Sequence, residues 1–277
     1  MILNFCSRLF LQFFLEREPT DMNEATADIM GIKVANVSMS QSLAIINESL
    51  SEGSGGIINF LNAHCANVSC TDESYRTALC ESDYIFGDGS GVKFASILMG
   101  TPLIDNVNGT DLAPLLFKQL ERTGKRLMLL GGKPGVAKLA TEKIVAKFPE
   151  MEVPQWDHGF RTEEEWIELA KSLAQCPPDL ILVALGVPLQ EKRIIMLSRY
   201  LPNTLLIGVG GLIDFLSERI SRAPVFLRKI GMEWTWRLYQ EPGRMWRRYL
   251  LGNIVFVVRI LLYLAASEKG KEEPCKL

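Results

Sequence analysis

Histidine is scarce in this chain, and cysteine is not arranged for metal binding. The two histidines, His64 and His158, and the six cysteines form no C-x-x-C pair and no His/Cys zinc spacing. Isolated thiols of this kind read as reduced, buried or half-buried residues. No D-x-D occurs, and neither do G-x-G-x-x-G, G-x-x-x-x-G-K-[ST] or G-x-S-x-G. These absences leave no support for a metal–diphosphate clamp, a dinucleotide-binding turn, a P-loop or a serine-hydrolase elbow. The formal net charge is only −2, which argues against a general nucleic-acid binder. Internal repeats and low-complexity linkers are also absent. No apolar run approaches the roughly 20 residues that span a bilayer. Residues 1–15 are apolar and aromatic but short, interrupted by Arg8, and lack a basic start or a small-residue cleavage site. They read either as a surface-adsorbing helix or as an extension outside the fold, with Met22 as an alternative start. Residues 253–266 are apolar too, but short and broken by Arg259.

What is present is a core-forming composition, 48% apolar and 22% charged over 277 residues, enough for one large domain with an appendage. From residue 31 to about 217, short β-rich runs alternate with helical stretches. Residues 57–61, 84–86, 126–130, 179–185 and 204–209 read as strands, and 110–122, 135–148, 163–175 and 190–200 as helices. Such alternation implies an α/β, Rossmann-like parallel sheet with helices on both faces. Three regions follow: an apolar extension (1–30), an α/β domain (31–223) and a helical appendage (224–277). The appendage carries Trp234, Trp236, Trp246 and nine basic residues between 218 and 259, against three acids. That chemistry suits phosphate or an anionic membrane surface. Packing in a homo-oligomer interface is the alternative.

Several strands run into glycine-rich turns: Gly87-Asp88-Gly89-Ser90-Gly91, Gly131-Gly132-Lys133-Pro134-Gly135, Gly186-Val187-Pro188 and Gly208-Val209-Gly210-Gly211. One such turn means little. Four on one sheet edge offer backbone N–H groups that cradle a diphosphate without a metal. Asp88 reads equally as a general base reaching the crevice or as a turn residue capping the next helix. Asn62 either holds a sugar hydroxyl or caps a helix, and His64 reads first as a core or cap histidine. Gln190-Glu191 either meets a phosphate or sugar or supplies ordinary first-turn polarity.

These pieces occur in a recognisable order. Asn62-Ala63-His64, the Gly87 turn, Gly109-Thr110-Asp111-Leu112 and Leu130-Gly131-Gly132-Lys133-Pro134-Gly135 are followed by Leu185-Gly186-Val187-Pro188-Leu189-Gln190-Glu191 and the Gly208 turn. Arg222-Ala223-Pro224, Glu233-Trp234, Arg237-Leu238 and Gln240-Glu241-Pro242 complete the set. Together they resemble the WecG/TagA/CpsF family of bacterial glycosyltransferases, over about residues 31–249. The resemblance implies an inverting, metal-independent peripheral membrane enzyme on the cytoplasmic face, with no cofactor. It would move N-acetylmannosamine, a related uronic acid or a hexose from a UDP-sugar to a sugar on undecaprenyl diphosphate, in cell-surface polysaccharide synthesis.

Residue by residue, the resemblance makes Asp88 the base and Gln190 an active-site residue, with Arg237, Arg244 and Arg247 closing over the diphosphate. Asn62 falls at a sugar-binding position, Asp214 at a nucleoside contact and Phe160 beside the uracil. The remaining candidate substrate contacts are Gly109, Asp111, Gly131, Gly132, Gly186, Glu191, Gly210, Gly211 and Arg222. Two positions depart from the pattern. Phe60 stands where some members have a threonine near the sugar, and Asn106 where they have an arginine. Both point to another donor, such as glucose or a uronic acid. The rival readings are a non-catalytic membrane-surface scaffold with a vestigial nucleotide pocket and, opposed by the missing G-x-G-x-x-G, a nucleotide-sugar dehydrogenase.

Overall fold

The computed structural model describes residues 26–267; the segment 1–15 and Met22 fall outside them. Eight strands form one sheet: β1 (Thr26–Ile29), β2 (Ile32–Ala35), β3 (Gly56–Leu61), β4 (Tyr84–Gly87), β5 (Leu127–Gly131), β6 (Gln155–Asp157), β7 (Leu180–Ala184) and β8 (Leu205–Gly208). Their spatial order is β1-β2-β4-β3-β8-β7-β5-β6. Strands β3, β5, β7 and β8 are almost wholly buried, as GIINFL, LMLLG, LILVA and LLIG require of a sheet covered on both faces.

The sheet is parallel except at one edge, where β1 and β2 pair antiparallel. Among the described residues, regular structure is thus already present from Thr26, ahead of the residue 31 start that the sequence pattern suggests. A two-residue turn makes this hairpin: Met30 and Gly31 have φ of 53° and 76°, and positive φ at both central positions matches the right-handed twist of the strands. The Asp28 carboxylate accepts the Gly31 N–H at 2.7 Å. A turn with only one glycine gave no strong sequence signal.

Helices α1 (Met39–Glu52), α2 (Ala63–Ser69), α3 (Glu73–Cys80), α4 (Ser90–Leu98), α5 (Gly109–Thr123), α6 (Val136–Lys147), α7 (Glu163–Gln175), α8 (Leu189–Ser198) and α9 (Leu212–Leu216) cover the two faces. One apolar layer packs Ile46, Leu116, Phe117 and Ile144 on the sheet. On the other face, Tyr75 and Leu79 meet one half of the sheet and Trp166 and Ile194 the other. Side-chain caps set the helix starts, with capping boxes at Ser38 and Thr162 and Asn caps at Asn62 and Asn108.

After Pro224 come α10 (Val225–Lys229), α11 (Glu233–Gln240), α12 (Pro242–Trp246), a π-helical turn (Arg247–Leu251) and α13 (Gly252–Ser267). The basic stretch 233–249 is thus not one helix. It breaks at Glu241 (φ −129°, ψ 61°), because the residue before a proline is driven out of helical geometry. From Pro242 onward the helix is continuous for 25 residues to Ala266, long and apolar enough to cross a membrane by length and composition. The expectation that the apolar stretch is too short to span is corrected on that point: helix runs on N-terminal to it, through the π turn.

Helix α13 is docked on α2. Phe256 and Ile260 are buried against the Cys65–Ala66 side of α2. The Asn67 amide donates to Gly252 O at 2.7 Å, and the Arg259 guanidinium donates to Asn67 O at 2.6 Å. Arg259, which interrupts the apolar run in the sequence, is therefore the residue that fastens it. The opposite face exposes Leu251, Ile254, Val258 and Leu261.

Candidate active site

All the parallel strands end on one edge, and in open α/β sheets that edge binds ligands. Here the turns after β3, β4, β5, β7 and β8 open onto one cavity of about 1310 Å³, whose far wall is built by α11, α12, the π turn and α13. The turns need their glycines. A Cβ on Gly208 would stand 2.1 Å from Asn59 Oδ1 and 2.5 Å from Gln190 Nε2. Gly131 has φ 137°, and a Cβ there would meet Ala184 O at 2.2 Å. Gly131 itself supports the turn from behind, while Gly109, Gly132, Gly186, Gly210 and Gly211 line the cavity.

Asp88 follows β4 and faces the cavity. Its backbone N–H donates to Leu61 O at 2.8 Å. Its side chain does not cap α4, whose N-cap is Gly89 with no side-chain hydrogen bond. The capping alternative is thereby set aside. Instead Asp88 Oδ2 accepts from Asn62 Nδ2 at 3.4 Å. Burial pushes the Asp88 carboxyl up to about 6, against the opposing pull of the Asn62 hydrogen bond and the Arg248 charge. Asn62 serves both of its readings. Its Oδ1 accepts the His64 and Cys65 N–H groups at 3.1 Å as the α2 cap, while its amide nitrogen meets Asp88. His64 also lines the cavity. Burial, then the Arg248 charge, lowers it to about 4, so its imidazole is neutral at pH 7.

Gln190 is buried and joins two turns: its Oε1 accepts the Gly210 N–H at 2.8 Å and its Nε2 donates to Glu191 Oε1 at 3.1 Å. The Gln190 reading as mere first-turn polarity does not fit these bonds. Glu191 is 1% exposed, its Oε2 has no partner, and burial pushes it up to about 7. The two positions that depart from the family pattern both line the cavity. Asn106 Oδ1 accepts the Gly89 N–H at 2.6 Å, fixing the Asp88 turn. Phe60 presents an apolar wall, edge-on to Phe86 at 5.8 Å.

At the β8 end the cavity holds Phe160, 65% exposed, and Asp214. Arg237 is buried over the Phe215 ring at 4.7 Å, with its Nε 3.0 Å from Glu241 Oε2 and its Nη2 3.8 Å from Asp214. Arg244 reaches the same two carboxylates from a more exposed position. Asp111 and Arg222 do not line the cavity. They pair at 2.9 Å, with Arg228 and Glu233 alongside, and bind α5 to the appendage. Arg247 does not line it either: its guanidinium stacks on Trp246 at 5.2 Å. Arg248, one residue on, faces the cavity together with Tyr249 and Trp234. Sequence reasoning missed this exchange, because Arg247 and Arg248 lie i+3 and i+4 from Arg244 and both suit one helical face. The π turn that contains both leaves no sequence mark. Among the described residues, no group of three or more His, Cys, Asp or Glu gathers as a metal site.

The model of the glycosyl transferase WecG/TagA/CpsF family matches residues 27–270. Similar proteins carry the name N-acetylglucosaminyldiphosphoundecaprenol N-acetyl-β-D-mannosaminyltransferase. One from Bacillus spizizenii is 31% identical over 79% of this chain and 84% of its own length. One from Bacillus subtilis is 31% identical over 79% of this chain and 82% of its own. One from Staphylococcus aureus strain MW2 is 27% identical over 92% and 97% respectively. A family match across nearly the whole described fold, with relatives at this identity and coverage, makes the chain a glycosyltransferase of the WecG/TagA/CpsF family.

Proposed function

We propose that this glycosyltransferase passes a sugar from a UDP-sugar to a hydroxyl of a sugar carried on undecaprenyl diphosphate, with inversion and without a metal. One observation carries the reading: Asp88, with its raised pKa, faces a cavity lined on one side by glycine-rich turns and on the other by arginines. Asp88 takes the proton of the acceptor hydroxyl as that oxygen attacks the anomeric carbon. The bond to UDP breaks on the opposite face, and the leaving diphosphate gains charge. Turn amides with Arg237 and Arg244 oppose that charge. A vestigial scaffold would have no need to keep Asp88, Asn62 and Gln190 in mutual register. Phe60 and Asn106 favour a donor other than N-acetylmannosamine, such as glucose or a uronic acid. UDP release across a donor panel with a lipid-linked acceptor tests the reading, and a panel without a single active donor would sink it.

The same chemistry predicts that activity survives chelation. Enzyme treated with EDTA is expected to keep its rate, because arginines stand where a cation would. Recovery only with Mg²⁺ or Mn²⁺ would reveal a metal clamp.

The outward face of α13 supports a position flat on the membrane. One side of the helix is held by Asn67 and buries Phe256 and Ile260, while the other offers Ile254, Val258 and Leu261. An apolar stripe with flanking Arg and Trp lies in the interface plane at low cost. Ile254→Ser, Val258→Ser and Leu261→Ser combined should move the protein out of the floating fraction with anionic vesicles while its melting temperature holds. Unchanged flotation would assign the anchor elsewhere, with residues 1–15 the next to test.

A further inference from the structure

Transfer between two diphosphate-bearing substrates places two strongly anionic groups in one cavity at once. Besides Lys133, Arg219 and Arg228 at its rim, the cavity carries three arginines on its far wall. Arg237 and Arg244 sit at the β8 end, each within 4 Å of Asp214 and Glu241. Arg248 stands apart. Among the described residues it is the half-buried cavity arginine with no carboxylate within 4.0 Å, whereas Arg228 pairs with Asp111 and Arg237 with Glu241. Its Nε is buried without a hydrogen-bond partner, a costly state unless a ligand completes it. It lies over the Tyr249 ring at 5.6 Å.

Position adds to charge. A π turn holds one extra residue per turn, and such bulges recur at functional sites. Here the turn contains both arginines, with Arg248 lining the cavity and Arg247 stacked on Trp246. His64 of α2, near enough to feel the Arg248 charge, and Asn253, Phe256 and Val257 of α13 line the same cavity. These residues combine one cation, a neutral imidazole and apolar side chains. The Arg248 charge also acts on Asp88, and α13 carries an exposed apolar face, Ile254, Val258 and Leu261. A nucleotide has no use for an apolar helix beside its phosphates, whereas a prenyl chain attached to a diphosphate does.

We propose that Arg248 holds the diphosphate of the lipid-linked acceptor, in a station separate from the donor's at Arg237 and Arg244. The inference rests on the proposed reaction for its substrate class. A guanidinium fork suits two phosphate oxygens, and the acceptor sugar beyond them reaches Asp88.

Farnesyl diphosphate is the probe, titrated calorimetrically into full-length protein in detergent, with UDP titrated alone and together with it. Wild type is expected to bind both at once. Arg248→Ala should weaken farnesyl diphosphate at least about tenfold, as loss of a charge-assisted contact implies, and leave UDP within about twofold. Arg248→Lys should recover part of the loss, and farnesol should bind wild type and variant alike. If Arg248→Ala lowers the melting temperature, Arg248→Gln serves the same comparison. Mutual exclusion of the two ligands, or a loss that falls on UDP rather than farnesyl diphosphate, overturns the assignment. So does a wild type that ignores farnesyl diphosphate. Failure of wild type to bind UDP is a different result, and it refutes the donor reading alone.

Discussion

Asp88→Asn should leave the fold and UDP binding near normal and cut turnover by roughly a hundredfold or more, the scale of a lost general base. Asparagine keeps the size of the side chain and its place beside Asn62 but cannot take a proton. The accompanying pH profile has a definite sign. Burial raises the Asp88 carboxyl to about 6, and only the ionised form is a base. The wild-type kcat/KM should therefore fall as pH drops through about 6, and the variant should lose that limb. Stability runs the other way. A carboxyl raised on folding contributes stability below its unfolded pKa, near 4, and loses that contribution as pH rises through about 6. Removing the charge should not lower the melting temperature at pH 7.5. Near-normal turnover in a folded variant would remove Asp88 from the mechanism.

Arg237→Ala should be the second large effect, again roughly a hundredfold or more in kcat, as for removal of one preorganised donor to developing charge. The arginine is buried between Phe215, Asp214 and Glu241. Its removal also leaves Asp214 and Glu241 to the more exposed Arg244 alone, so part of the loss will appear as destabilisation. Arg237→Lys separates the two effects. It keeps the charge against Asp214 and Glu241 but not the planar fork. A melting temperature close to wild type with kcat still down about tenfold would assign the loss to the diphosphate. Full activity in a folded Arg237→Lys variant would show that geometry there is unimportant.

Much of this architecture was legible from the residues. The strands at 57–61 and 84–86 appear within a residue or so of the expected bounds, and α7 covers 163–175 as read. Continuous apolar runs ended by glycine have few alternatives in an α/β chain. What escaped was set by tertiary context. The hairpin at 26–35 is made of two short runs whose character shows only once they pair at the sheet edge. In the site, the register of Asn62, Asp88 and Gln190 followed from their places at strand ends. The identity of the cavity-facing arginine did not, since it depends on a local change of helix pitch. Asp111 and Arg222, matched by motif, turned out to bind each other beside the cavity.

One helix joins Asp88 to α13. Asn62 caps the start of α2 and touches Asp88, and Asn67 near its end grips α13. Five residues of helix, about 7 Å of rise, separate the two grips, and the turn is too short to flex. With α13 resting on a bilayer, the height of the carboxylate above the lipid is a constant of the molecule. The enzyme then works as a ruler as well as a catalyst. On the proposed reaction it would reach a hydroxyl on the sugar next to the diphosphate, and a chain already lengthened by several sugars would carry its free end past the reach of Asp88. Length control of the product would follow from rigid geometry alone, with no separate site to count residues.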